Sequence, residues 1–279
     1  MAQQASDITP EANTYALGHS AAVLSSHTSR TASNCAFYLV PHLTTTSTIR
    51  DVGCGPGTIT CDLAAIATSG KVIGLDTSSS VTDTARETAS SRQLTNVSFQ
   101  VGNVHSLPFE DDSFDVVHAH MTFVHLPNPE HAFAEVRRVC KPGGVVAIRE
   151  CDWDSLTIYP ETAPLRKWRD ATADVLAADG AEANAGRMLR TWATAVGFDR
   201  KKVEVGATAI TYATEELAKW WGEMHAQRLK DEGGISLKMV QKGVATEEEI
   251  EEMAGAWLNW SKDELALWAL MTVHVLCWK

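Results

Sequence analysis

A chain of 279 residues that is 44% hydrophobic, with nine tryptophans, carries ample apolar material for one large domain, or for a domain with a smaller cap. Its 35 acidic residues outnumber its 24 basic ones, and a formal charge of −11 repels phosphate backbones, which argues against a nucleic-acid partner. No run of about 18 apolar residues is present, so no membrane span is expected.

In chain order, a Ser/Thr-rich stretch at 44–48 leads into a short apolar strand at 48–52, and a helix is expected over 58–68. A strand at 71–76, a helix at 79–91 and a strand at 97–101 follow. Residues 114–119 read as a fourth strand and 130–140 as a helix, closed by the stop signal Lys141-Pro142-Gly143-Gly144. A fifth strand is predicted at 145–150, then helices at 164–178 and 186–196 and a late strand at 202–212. Helices at 214–230 and 245–260 precede a closing strand at 271–278, and they read as an insertion over the site. Strands alternating with helical stretches of this length indicate βαβ units in a parallel sheet. Right-handed crossovers then place ligands at the carboxyl ends of the strands, where the strand order switches.

The stretch between the first strand and its helix reads Asp51-Val52-Gly53-Cys54-Gly55-Pro56-Gly57, that is D-x-G-x-G-x-G rather than the G-x-G-x-x-G of a dinucleotide fold. Glycine lets the backbone turn sharply and lie directly against a ligand. The helix that follows presents unpaired N–H groups and a positive dipole end at the same place. The second strand ends in Asp76, 19 residues after Gly57, a spacing suited to a ribose-binding carboxylate, with a plain helix N-cap as the alternative. The third strand runs into Gly102-Asn103-Val104-His105-Ser106-Leu107-Pro108-Phe109, and the fourth into His118-Ala119-His120-Met121 and Phe123-Val124-His125.

In these four linked segments the chain resembles the class I methyltransferases that use S-adenosylmethionine, and residues 102–115 are similar to the matching segment of the ubiquinone and menaquinone C-methyltransferases. The resemblance covers roughly Tyr15 to Asp152. It implies a Rossmann-like, doubly wound α/β sheet of about seven mostly parallel strands. It also implies that Asp51, Gly53, Cys54 and Gly55 cradle the amino-acid part of the cofactor, and that Asp76 with Thr77 holds the ribose. Asn103 stands where the family usually has an aspartate on the adenine amine, and Val104 would offer a backbone N–H and an apolar edge. The segment of His120 would pass under the methionyl part and line the acceptor pocket.

The patterns Tyr15…Gly18-His19 and Ser26-His27…Arg30-Thr31 are similar to the N-terminal segment of a microbial subgroup, which folds as helices across the cofactor mouth. On that likeness Arg30 would clamp the methionyl carboxylate and Tyr15 would cover the sulfonium. The expected organisation is a helical lid over 1–44, a cofactor-binding core over 45–212, a helical cap over 213–269 and the last strand over 270–279.

If the acceptor must lose a proton, a histidine is the natural base, with His120 and His125 as leading candidates and His19 and His27 next; each has a packing role as its alternative. Cys151 reads as a buried inert thiol. Trp153, Trp168, Trp220, Trp221, Trp257 and Trp260 fall in the cap or at the strand mouth, mostly as core, with a subset available to bind a small, flat or apolar acceptor. Six scattered cysteines lack metal spacing, and the opening residues lack the regions of an export signal, so no metal and a cytoplasmic location are expected. Arg50, inside a strand, needs a partner or a sheet edge. The predicted activity is methyl transfer to a small molecule. Its rivals are a cyclisation or rearrangement on the same fold and a non-catalytic cofactor-binding partner.

Overall fold

The computed structural model describes residues 26–232 and 234–279, so Tyr15 and His19 lie outside the described residues. A short helix, α1 (Ala32–Cys35), capped by Thr31, precedes the sheet. The core then alternates β1 (Thr48–Val52), α2 (Thr58–Ile66), β2 (Lys71–Asp76), α3 (Ser79–Ser91), β3 (Val97–Val101), β4 (Phe114–His120), α4 (Pro129–Val139) and β5 (Cys140–Cys151). These five strands pair in parallel in the order β3-β2-β1-β4-β5. β1 is buried on both faces: Ile49 packs with Val72 and Leu63 on one side, and Val52 with Leu75 and Val117 on the other. The order reverses between β1 and β4, which opens a crevice at their carboxyl ends.

The second half adds β6 (Thr157–Tyr159), α5 (Ala163–Ala178), α6 (Ala185–Ala195), β7 (Val203–Tyr212), α7 (Glu215–Lys230), α8 (Ile235–Gln241), α9 (Glu247–Trp260) and β8 (Leu267–Trp278). β8 runs antiparallel to β5 and β6 on one edge and to β7 on the other, completing an eight-stranded sheet. Helices α7 and α9 pack on each other, and α9 also packs on α5. Their contact is aromatic. Trp257 meets Trp168 edge to face at 4.9 Å, and His225 stacks on Trp257 at 4.6 Å. Trp168, Trp221, Trp257 and Trp260 are buried, so these tryptophans serve mainly to pack α5, α7 and α9 together.

Two departures from the expected elements trace to strand pairing. Lys141-Pro142-Gly143-Gly144 ends α4 but lies inside β5, because the pairing steps from Phe114 with Cys140 to Val116 with Val145. Gly143 takes φ +78°, and a Cβ on Gly144 would sit 2.7 Å from the Asp115 carbonyl, so only glycine builds this bulge. β8 starts at Leu267 rather than 271 because Ala269 is flanked by Thr157 and Thr211 on its two sides. Arg50 finds a partner rather than an edge. It is fully buried, with its guanidinium 4.4 Å from the Phe109 ring centre, and burial lowers its pKa to about 10.

Candidate active site

The three glycines after β1 all have positive φ: +66° at Gly53, +53° at Gly55 and +80° at Gly57. Each serves a different end. A Cβ on Gly53 would lie 2.2 Å from the Thr122 Oγ1, and one on Gly57 would lie 2.8 Å from the Ala85 Cβ. A Cβ on Gly55 would meet nothing within 4 Å, so this residue shows bare backbone to open space. Gly57 caps α2 with no side-chain acceptor, which leaves the first-turn N–H groups for a ligand.

The two acidic residues of the motif brace this loop from below. Asp51 is buried; its Oδ2 accepts from the Thr60 hydroxyl at 2.6 Å and its Oδ1 faces His118 Nδ1 at 2.7 Å. Its carboxylate is therefore committed to α2 and β4. Asp76 accepts from the Gly55 N–H at 3.0 Å and the Ser78 N–H at 3.1 Å, tying the loops after β1 and β2 together. The cap of α3 is Ser78, whose hydroxyl accepts from Val81 at 3.4 Å, so Asp76 is not the N-cap.

Arg30, Asp51, Gly53, Cys54, Gly55, Asp76, Thr77, Asn103, Val104, His120 and His125 all border one crevice, together with His27. The Arg30 guanidinium has no hydrogen-bond or ion-pair partner among the described residues. Asn103 is exposed, and its side-chain oxygen already accepts the His105 N–H at 2.9 Å. The His105 ring bridges the same oxygen, at 3.0 Å, to the Pro127 carbonyl at 2.8 Å. Asn103 thus shapes the turn after β3 through its own loop. Val104 is buried against the core.

His120, at the end of β4, is 6% exposed, and neither ring nitrogen has a partner among the described residues. Burial, then Arg30, pushes its pKa well below the usual histidine value, and the same two causes bring His125 to about 3. Both rings are neutral at physiological pH. Cys151 does not border the crevice, and burial raises its pKa, which fits an inert thiol. None of Trp153, Trp168, Trp220, Trp221, Trp257 and Trp260 borders the crevice among the described residues.

Several lining residues carry no motif signal. Met121 takes φ +52° and Thr122 fills the notch at Gly53. Leu176, Asp179 and Ala181, from the end of α5, close the far rim. Asp179 pairs with Lys238 at 2.9 Å and Lys242 at 2.7 Å, which latches α8 beside the crevice. These positions come from contacts between distant segments. Only the positive φ at Met121 is a local departure, and no residue pattern announces it.

Residues 43–196 match the family described as methyltransferase domain. The chain is 32% identical over 256 residues to an uncharacterized methyltransferase of Schizosaccharomyces pombe, covering 89% of this chain and 90% of that one. This chain belongs to the methyltransferase domain family. The probable methyltransferase ltbC of Aspergillus luteorubrus is 30% identical over 285 residues, covering 97% and 99% of the two chains. Among solved structures, a proposed methyltransferase of Bacillus halodurans C-125 superposes with a TM-score of 0.58 at 17% identity, over 86% of this chain and 96% of that chain, a likeness of fold.

The methyltransferase uses S-adenosylmethionine, and its crevice fits that cofactor on its own geometry. The open face of Gly55, the start of α2 without a side-chain cap, Arg30 and the carboxylate of Asp76 line one crevice. Asp76→Ala removes an acceptor and the brace on Gly55, and is expected to weaken S-adenosylhomocysteine binding by about 1–3 kcal/mol in calorimetry. An unchanged dissociation constant would remove Asp76 from the site.

Proposed function

We propose that this methyltransferase methylates a small molecule, flat or apolar in shape, held between the β4 end and the cap. One observation carries the reading: His120 lines the crevice almost fully buried, with both ring nitrogens unpaired among the described residues. Buried polar groups are costly unless bonded, so this ring suits a ligand that completes it. Arg30 would hold the cofactor carboxylate, the 53–57 loop its amino-acid part, and Asp76 with Thr77 its ribose. When bound, S-adenosylmethionine supplies a methyl on a positively charged sulfur, open to in-line displacement.

The protein's part is alignment and exclusion of water. Ile59, Met121, Leu126 and Leu176 give the crevice apolar walls. His120 and His125 would orient the acceptor as neutral rings. Their conjugate acids are held too low for an efficient base near neutral pH, which favours an acceptor already nucleophilic, such as a thiolate, an enolate or an amine. A cytoplasmic setting agrees with six cysteines that are all buried and unpaired.

The test incubates the enzyme with methyl-labelled cofactor and an extract of its source organism. Label in a low-molecular-weight product, with S-adenosylhomocysteine released in equal amount, is the expected result. Label confined to macromolecules, or turnover without S-adenosylhomocysteine, would overturn the reading.

A further inference from the structure

We propose that Glu150 is a positioning residue: its buried carboxylate sets the loop after β4 against the glycine loop, so the grip on the cofactor depends on a group outside the crevice. The inference rests on the reading of the crevice as the cofactor site.

Glu150 is the penultimate residue of β5 and is 0% exposed. Its Oε1 accepts from the Thr122 N–H at 2.8 Å and the Phe123 N–H at 2.9 Å, and its Oε2 accepts from the Val124 N–H at 3.2 Å. The preceding N–H, of Met121, bonds to the Arg149 carbonyl at 2.9 Å. Four consecutive backbone donors are thus anchored on β5. The left-handed Met121, at φ +52°, is the turn that makes this possible.

The anchored loop is what the glycine loop leans on. The Thr122 hydroxyl reaches the Val52 and His120 carbonyls, each at 3.3 Å, and occupies the space that a Cβ on Gly53 would need. His120 and His125 flank the same four residues. One carboxylate therefore sets the distance between the cofactor cradle and the acceptor-side histidines.

Three donors call for an acceptor-only group, which a carboxyl is only when ionised. Protonation would turn one oxygen into a donor facing an N–H. Burial raises the Glu150 pKa to about 7, against the pull of the three N–H groups and Arg30. Among the described residues Tyr38 and Cys151 also feel its charge, both kept protonated by burial, and its partner across on β8 is Val273. The two consequences of pH run in opposite directions. A raised folded-state pKa contributes stability that is present below the ordinary carboxyl value of 4.5 and is lost as pH rises through about 7. Cofactor affinity instead strengthens through that window as the loop is pinned.

The experiment measures S-adenosylhomocysteine binding by calorimetry from pH 6 to 8.5, with urea unfolding at each pH, for the wild type, Glu150→Gln and Glu150→Asp. Wild-type affinity is expected to rise about fivefold with a midpoint near 7. Glu150→Gln should bind at least about fivefold more weakly at pH 8 and lose that slope. Glu150→Asp, which keeps a titrating acceptor, should bind more weakly but retain a slope, and it serves alone if the glutamine variant fails to fold. A Gln variant that keeps the wild-type slope, or an Asp variant with wild-type affinity, would overturn the proposal. A wild type that does not bind S-adenosylhomocysteine would overturn the cofactor reading instead.

Discussion

Gly53→Ala is expected to weaken S-adenosylhomocysteine binding by two orders of magnitude or more. Two independent terms act at this residue. The backbone sits at φ +66°, where a side chain costs about 1–3 kcal/mol. The added Cβ would also lie 2.2, 2.6 and 2.9 Å from three atoms of Thr122, and forced overpacking of this kind costs about 1–3 kcal/mol more. Thr122 has little freedom to retreat, because its N–H is held by Glu150 and its hydroxyl by two carbonyls. The loop must therefore move, and the cradle moves with it. A companion Thr122→Gly separates the terms: the double variant should recover the steric part and keep the backbone part. Calorimetry on the four proteins of the cycle reads both. Wild-type affinity in Gly53→Ala would mean that the loop does not contact the cofactor.

The same cycle illustrates how far the sequence alone reaches. Four elements, 48–52, 71–76, 79–91 and 97–101, match their sequence-predicted bounds, because glycines, polar breakers and the Ser78 cap punctuate them locally. The Lys-Pro-Gly-Gly stretch misleads for an equally local reason: a helix stop and a strand bulge use the same residues, and only pairing with Phe114 and Val116 tells them apart. β6, three residues long, is too short to show a period, and α8 falls between the helices expected at 214–230 and 245–260, where no element is predicted. In the site, the motif spacing places the loop, Asp76 and His120 on one crevice. The partners are another matter. That Asp51 faces Thr60 and His118, or that Glu150 holds residues 122–124, depends on side chains brought together by strand order, and no spacing along the chain encodes it.

Asp51→Ala is the change expected to damage the fold most, by about 3–5 kcal/mol in urea unfolding, the range for removing one member of a buried polar pair. The carboxylate is 3% exposed and His118 is fully buried, so neither partner can turn to water when the other is lost. His118 has no second anchor among the described residues, since its Nε2 is without a partner there. The Thr60 hydroxyl, in the first turn of α2, loses its acceptor at the same time. Asp51 thus joins β1, β4 and α2 beneath the glycine loop, and its removal leaves two orphaned groups and a void. Asp51→Asn is milder, about 1–3 kcal/mol, because the amide oxygen still accepts from one neighbour while its NH2 confronts the other. Binding should follow stability here: the loop that loses its root also loses affinity, in both variants and in the same order. A fall below about 1 kcal/mol for Asp51→Ala would show that the buried pair is not what holds the loop.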